Sequence, residues 1–163
     1  MRSLVRSLLL FALLATLEVH AQLHASDSRS AFTKAIATSR IFGFMEIFRN
    51  SGLPEQMLHG DVTLVIPVDT SFYALAPTTY QRLLAPASRE LAVAYIQAHV
   101  IKGTFTLNQL ASGKAQTLGG QPVVLKPAAA GQPTTLGGRK VLLANQAGAT
   151  GVFHLIDGFL VLP

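Results

Sequence analysis

Two apolar runs, each ending on a single carboxylate, constrain this chain most. Thr63-Leu64-Val65-Ile66-Pro67-Val68-Asp69 leads into Thr70-Ser71-Phe72, and Gly151-Val152-Phe153-His154-Leu155-Ile156-Asp157 leads into Leu160-Val161-Leu162-Pro163. Both runs have strand length. About eighty residues separate them, so they belong to one fold rather than to one hairpin. Asp69 or Thr70 is placed to cap a helical turn that Phe72 opens.

A chain of 163 residues fits one domain. At this size about two thirds of the unfolded chain's surface is buried on folding, enough for a core without staples. Half of the residues are hydrophobic and mean hydropathy is +0.41, partly because of the N-terminus. Arg2 and Arg6 form a basic region, Leu8 to Leu17 an apolar one, and Val19-His20-Ala21 a small-residue cleavage site. Residues 1–21 therefore read as a secretory signal peptide, 22–29 as a flexible leader and 30–163 as the folded domain. No other segment reaches the length of a membrane span, and the apolar end at Pro163 lacks a lipid-anchor signal. The expected location is secreted, either extracellular or periplasmic.

There are no cysteines, which removes disulfides and every thiolate metal site. The formal charge is +5; without Arg2, Arg6 and Glu18 there remain 11 basic and 7 acidic residues, or +4. The basic residues are scattered, with only Arg139 and Lys140 adjacent. That pattern argues against nucleic acid and leaves ordinary solubility or a mild attraction to acidic polysaccharide or anionic headgroups.

Periodicity predicts a helix over 31–51, with Ile41, Phe44, Met45 and Phe48 on one face and Gly52 as its left-handed cap. A strand is predicted over 62–68 and short helical pieces over 70–76 and 78–84. Ser88 is placed to cap a helix whose apolar stripe is Leu91, Ala94, Tyr95 and Ala98, and a last short helix spans 106–112. Beyond it, glycine, proline, threonine and valine dominate. Thr117-Leu118-Gly119-Gly120 and Thr135-Leu136-Gly137-Gly138 each predict a tight hairpin. Residues 128–133 are expected to form an exposed loop. Helices first and strands later predict an α+β fold, with helices on one side of an antiparallel or mixed sheet.

The chain lacks a Gly-x-Ser-x-Gly elbow and a dinucleotide fingerprint. Around Gly113-Lys114, Asn108 and Ala115 replace the phosphate-loop glycine and hydroxyl residue. Of the four histidines beyond the expected cleavage site, His24, His59, His99 and His154, no two have metal-ligand spacing. Asp69, His99, His154 and Asp157 would suit acid–base chemistry if they met in one cleft. The residues favour structural roles: backbone-bonded histidines and a helix-capping Asp69. No catalytic residue, metal or cofactor is expected.

Thr63, Pro67, Asp69 and Phe72 match the first motif of the fasciclin domain family, Thr-x-Phe-Ala-Pro-x-Asp followed by Phe. Ala98-His99-Val100-Ile101-Lys102-Gly103 is similar to its Tyr-His-Val-Val-x-Gly segment, with Ala98 in place of the tyrosine. Thr117-Leu118-x-Gly resembles its strand–turn motif. Gly151, His154, Ile156 and Asp157 match its second motif, with Thr150 and Phe153 replacing the usual Asn and Ile. The likeness covers about residues 30–163 in order.

The resemblance implies a β-sandwich-like wedge flanked by several helices. It also implies a non-enzymatic module for cell adhesion or extracellular-matrix contact, with cell-surface or matrix proteins or glycans as partners. In multidomain animal members the segment around the Tyr-His pair has been linked to integrin recognition, and that tyrosine is absent here. The alternative is a periplasmic or extracellular protein that binds a small ligand or polysaccharide. Loop 127–134 and the exposed part of 95–107 are the expected binding surface, with Tyr95, His99 and Lys102 as candidates. The oligomeric state is left open.

Overall fold

A computed structural model describes residues 29–113, 115–129 and 131–161. The expected signal peptide and nearly all of the leader lie outside them.

The predicted helix over 31–51 is two helices. The first, α1, spans Ala31–Thr38, and Ser30 caps it by accepting the Thr33 amide at 3.2 Å. Ser39 is extended, and α2 then runs over Phe42–Ser51. Residues 39–41, between the two helices, include no proline or glycine. What stabilises it is distant: the Asp69 amide donates to the Arg40 carbonyl at 3.3 Å, and the Asp69 carboxylate accepts from Gly43. A local periodicity argument does not contain either contact. Gly52 ends α2 in the expected left-handed conformation, at φ 62°.

A 3₁₀ turn at Glu55–Leu58 leads into strand β1, Val62–Pro67. Helices α3, Asp69–Phe72, and α4, Pro77–Leu84, follow, and a turn at Pro86–Ser88 leads into α5, Arg89–Ala98. Ser88 occupies the N-cap position of α5 without a side-chain cap bond. The buried face of α5 is Ala92, Tyr95, Ile96 and Ala98, while Ala94 is exposed. The predicted stripe was rotated by part of a turn, because alanine is compatible with either face. Strand β2, Val100–Lys102, precedes α6, Leu107–Leu110, which starts with a capping box between Thr106 and Gln109.

The remaining strands are β3, Leu125–Lys126, β4, Thr135–Leu136, β5, Arg139–Ala147, and β6, Val152–Ile156. The fold is mixed α+β: six α-helices among the described residues and one sheet in the order β2-β1-β6-β5-β4-β3. The two carboxylate-terminated runs are the central neighbours β1 and β6. They pair in parallel, from Thr63 with Val152 to Pro67 with Ile156, and every residue of both is buried. Burial on both faces is why neither run alternates with polar residues.

Alternate side chains of these strands enter two cores. Leu64, Ile66, Phe153 and Leu155 pack against the helices with Phe32, Phe44, Ile47 and Ile96. Val65 and Ile156 pack on the other face with Ile101, Leu110, Val123 and Leu136. One residue of register slip would exchange the two sets.

The second predicted hairpin is the β4–β5 turn, with Gly137 and Gly138 both at positive φ. The first is reduced to a single bridge between Gln116 and Pro122. Pro122 has no amide to donate, and the Thr117 hydroxyl accepts the Gln121 amide at 3.2 Å instead.

Candidate functional site

The matched motif residues lie along β1 and β6 and at their ends. At the start of β1, the buried Thr63 hydroxyl donates to the Gly103 carbonyl at 2.7 Å and accepts the Phe105 amide at 2.8 Å. Beside it, Gly151 has φ +79°, and a Cβ there would collide with the Val62 carbonyl oxygen. Pro67 closes β1 opposite Ile156, where its missing amide leaves no ladder bond to break.

Beyond β1, the Asp69 carboxylate accepts the Gly43 amide at 3.0 Å. It therefore caps α2, whose own N-cap residue, Ile41, supplies no side-chain bond. The capping role expected of Asp69 is real, but the helix is a different one. Phe72 packs edge-on against Phe159, ring centres 5.0 Å apart, and covers Gly43 so closely that a Cβ there would lie 2.7 Å from its ring. Beyond β6, the Asp157 carboxylate accepts the Lys140 amide at 2.8 Å and pins the start of β5.

Both histidines are buried and neutral, held in opposite tautomers by the backbone. His99 donates from Nδ1 to the Tyr95 carbonyl at 2.8 Å and accepts the Leu160 amide on Nε2 at 3.2 Å. Burial lowers its pKa to about 4, against which the Tyr95 bond acts only weakly. His154 donates from Nε2 to the Phe105 carbonyl at 3.0 Å and accepts the Asn145 amide on Nδ1 at 3.2 Å. Burial lowers its pKa as well. The two rings have no partner in common. A general base needs an accessible nitrogen, and all four are occupied by main chain.

Tyr95 and His99 do not form a binding surface. Tyr95 is 3 % exposed and His99 wholly buried, their rings 4.4 Å apart among Phe44, Phe72 and Phe159. They face inward because α5 packs this side against α2 and the Phe72 and Phe159 rings. Ala98, at the family's tyrosine position, is also buried. Of the three surface candidates only Lys102 is exposed.

The sequence reading missed the exposed aromatics. Phe42 is 73 % and Tyr73 85 % exposed, and they flank a groove of about 510 Å³ at the carboxyl ends of β1 and β6. Val68 and Leu155 line it, with Arg40 and Leu143 also at its wall. The available signal was that Phe42 falls off the predicted apolar face of α2. A larger depression of about 840 Å³ runs along α5 past Pro86, Glu90 and Ala94, and no aromatic lines it. Among the described residues no group of three His, Asp or Glu side chains converges as metal ligands would, and no helix is long and apolar enough to cross a membrane.

A domain of helices against a mixed sheet, its motif side chains committed to the backbone, is a scaffold. Residues 39–163 match the fasciclin domain family, and the chain belongs to that family. The family is associated with adhesion and is typically non-catalytic. Helix α1 precedes the matched span but packs Ala31, Phe32 and Ala35 into the same core. The Synechocystis protein sll1483 is 26% identical over 141 residues, covering 85% of this chain and 77% of that protein. A solved domain pair from the insect cell adhesion molecule fasciclin I shares the fold, with a TM-score of 0.60 and 16% identity. That match covers 78% of this chain and 47% of the solved one, so this chain spans about half of its length.

Proposed function

We propose that this protein is a secreted, non-enzymatic binding module that attaches to cell surfaces or extracellular matrix. One observation carries the reading beyond family membership. The polar side chains of the matched motifs, Thr63, Asp69, His99, His154 and Asp157, each hydrogen-bond a main-chain group. Groups used this way hold a shape and perform no chemistry. Function then falls to the surface that the scaffold displays. The amino-terminal basic and apolar pattern supports export, and the absence of cysteine leaves the two cores to maintain the fold outside the cell.

The test is adhesion of the purified chain to whole cells and extracted matrix at low and at physiological salt. Retention at physiological salt supports the reading. Retention only at low salt assigns the attraction to the net positive charge acting non-specifically. Failure to adhere under both conditions refutes it.

A further inference from the structure

Phe42 and Tyr73, the two most exposed aromatic side chains among the described residues, stand on main chain that is held from below. Phe42 precedes Gly43, whose amide is bound by Asp69 at 3.0 Å and whose open side is covered by the Phe72 ring. Tyr73 follows Phe72, which is only 7 % exposed. Large rings left in water forgo burial energy, and rings gathered at a groove indicate a binding site. A backbone already ordered reduces the entropic cost of using them.

The groove between them carries one charge of each sign. Arg40 and Asp69 both line it, so an ion attracted by one is repelled by the other, and neither an acidic nor a basic ligand is selected. What the lining offers instead is hydrogen bonding. The guanidinium only donates, the carboxylate only accepts and has capacity beyond the Gly43 amide, and the hydroxyl of the exposed Thr70 does both. A matching ligand has no net charge, many groups that donate and accept, and flat apolar faces for the rings. A neutral pyranose with equatorial hydroxyls has all three. Its hydroxyls lie around the rim, and the C–H groups on its faces carry the slight positive charge that the negative face of an aromatic ring attracts. The groove's volume of about 510 Å³ suits a short oligomer rather than a broad protein face. A peptide added as a strand would need a regular sheet edge, but β5 carries register shifts on either side of Leu143.

We propose that the groove between Phe42 and Tyr73 binds a short stretch of neutral, β-linked polysaccharide. The two rings lie against sugar faces, and Arg40, Asp69 and Thr70 hydrogen-bond the hydroxyls at the sugar rims. This rests on the adhesion reading and names the chemistry of the partner.

The full chain is titrated at low and at physiological salt with cellohexaose, a β-1,4-linked glucose hexamer, and with a galacturonate hexamer; its sedimentation is measured without ligand. Saturable binding of cellohexaose is expected, equal at the two salt concentrations because no net charge is engaged. Phe42→Ala and Tyr73→Ala are each expected to weaken it about tenfold. Thr70→Val, which keeps the shape and removes the hydroxyl, is expected to weaken it about threefold. All three residues are exposed, so circular dichroism and melting stay unchanged. No saturable binding of cellohexaose, or equal binding by all variants, overturns the proposal. Tighter binding of the galacturonate hexamer overturns it in favour of a ligand selected by charge. A wild-type dimer that Phe42→Ala dissociates overturns it in favour of a second copy of this chain. The same variants in the adhesion assay separate the two ideas. Variants that adhere as well as wild type remove the groove and leave the adhesion reading standing. Variant-sensitive binding of cellohexaose with no adhesion to cells or matrix does the reverse.

Discussion

The Asp69 carboxylate and the Gly43 amide meet at 3.0 Å across 26 positions of sequence, and this bond starts α2. An N-cap need not come from the residue preceding the helix; it needs only an acceptor at the right point in space. Because only Val68 separates Asp69 from β1, the strand and the second helix are placed by one carboxylate. The same bond accounts for the extended Ser39 that divides the first predicted helix.

Asp69→Ala is expected to destabilise the fold by about 1 kcal/mol, the usual worth of an N-cap, and Asp69→Asn by less, since the amide oxygen still accepts. Gly43→Ala keeps the bond but drives a methyl group against Phe72, an overpacking cost of about 1–3 kcal/mol. Urea unfolding of the three variants checks the order. An Asp69→Ala variant as stable as wild type would show that the bond contributes nothing.

Stability is expected to fall as pH drops from about 6.5 toward 4. His99 takes a proton near 6.5 when unfolded, but only near 4 when folded, because burial opposes its charge. The unfolded state therefore binds more protons in this window, and acid favours it. The stabilisation is fully present above pH 6.5 and amounts to about 3 kcal/mol for His99. His154, shifted in the same direction, adds to it. Melting temperature and proton uptake on unfolding between pH 7.5 and 5 test this, in a range where ordinary carboxylates stay ionised. A flat melting temperature across it contradicts the argument.

Asn145 has two roles that substitution can separate. It is the one non-glycine residue with positive φ among those described, at 56°, and its side chain accepts the Leu107 amide at 2.9 Å at the start of α6. Asn145→Gly removes the cap while keeping the conformation easy. Asn145→Ala removes the cap and adds left-handed strain of about 1–2 kcal/mol. Alanine is therefore expected to be the worse of the two in thermal melts, and equal losses would mean that the conformation is not strained.

Gly151→Ala is expected to be among the most damaging single-methyl additions. It combines φ +79° with a collision against the Val62 carbonyl, main chain that β1 cannot readily move. A loss of about 3 kcal/mol or more is predicted from chemical denaturation. A near-wild-type result would require the β5–β6 connection to shift freely.

Much of this was legible along the chain. The two runs ending at Asp69 and Asp157 are strands, Gly52 is a left-handed cap, and Gly137-Gly138 is a two-residue turn. Each follows from local rules of residue type and spacing, which fix backbone preferences wherever the segment sits. The fasciclin motifs also specified which residues the scaffold would use. Tyr95 stood on the predicted apolar stripe and His99 among the structural motif residues, yet both were also candidates for a binding surface, and only the packing of α5 put them in the core. The sequence predicted Asp69 as a cap without its helix, and it passed over Phe42 and Tyr73 as unremarkable aromatics. Those outcomes depend on contacts between distant segments: Asp69 with Gly43, His99 with Leu160, His154 with Phe105. Local chemistry set the elements and their ends. Only packing decided which carboxylate caps which helix, which rings are buried, and which two stay in water beside the groove.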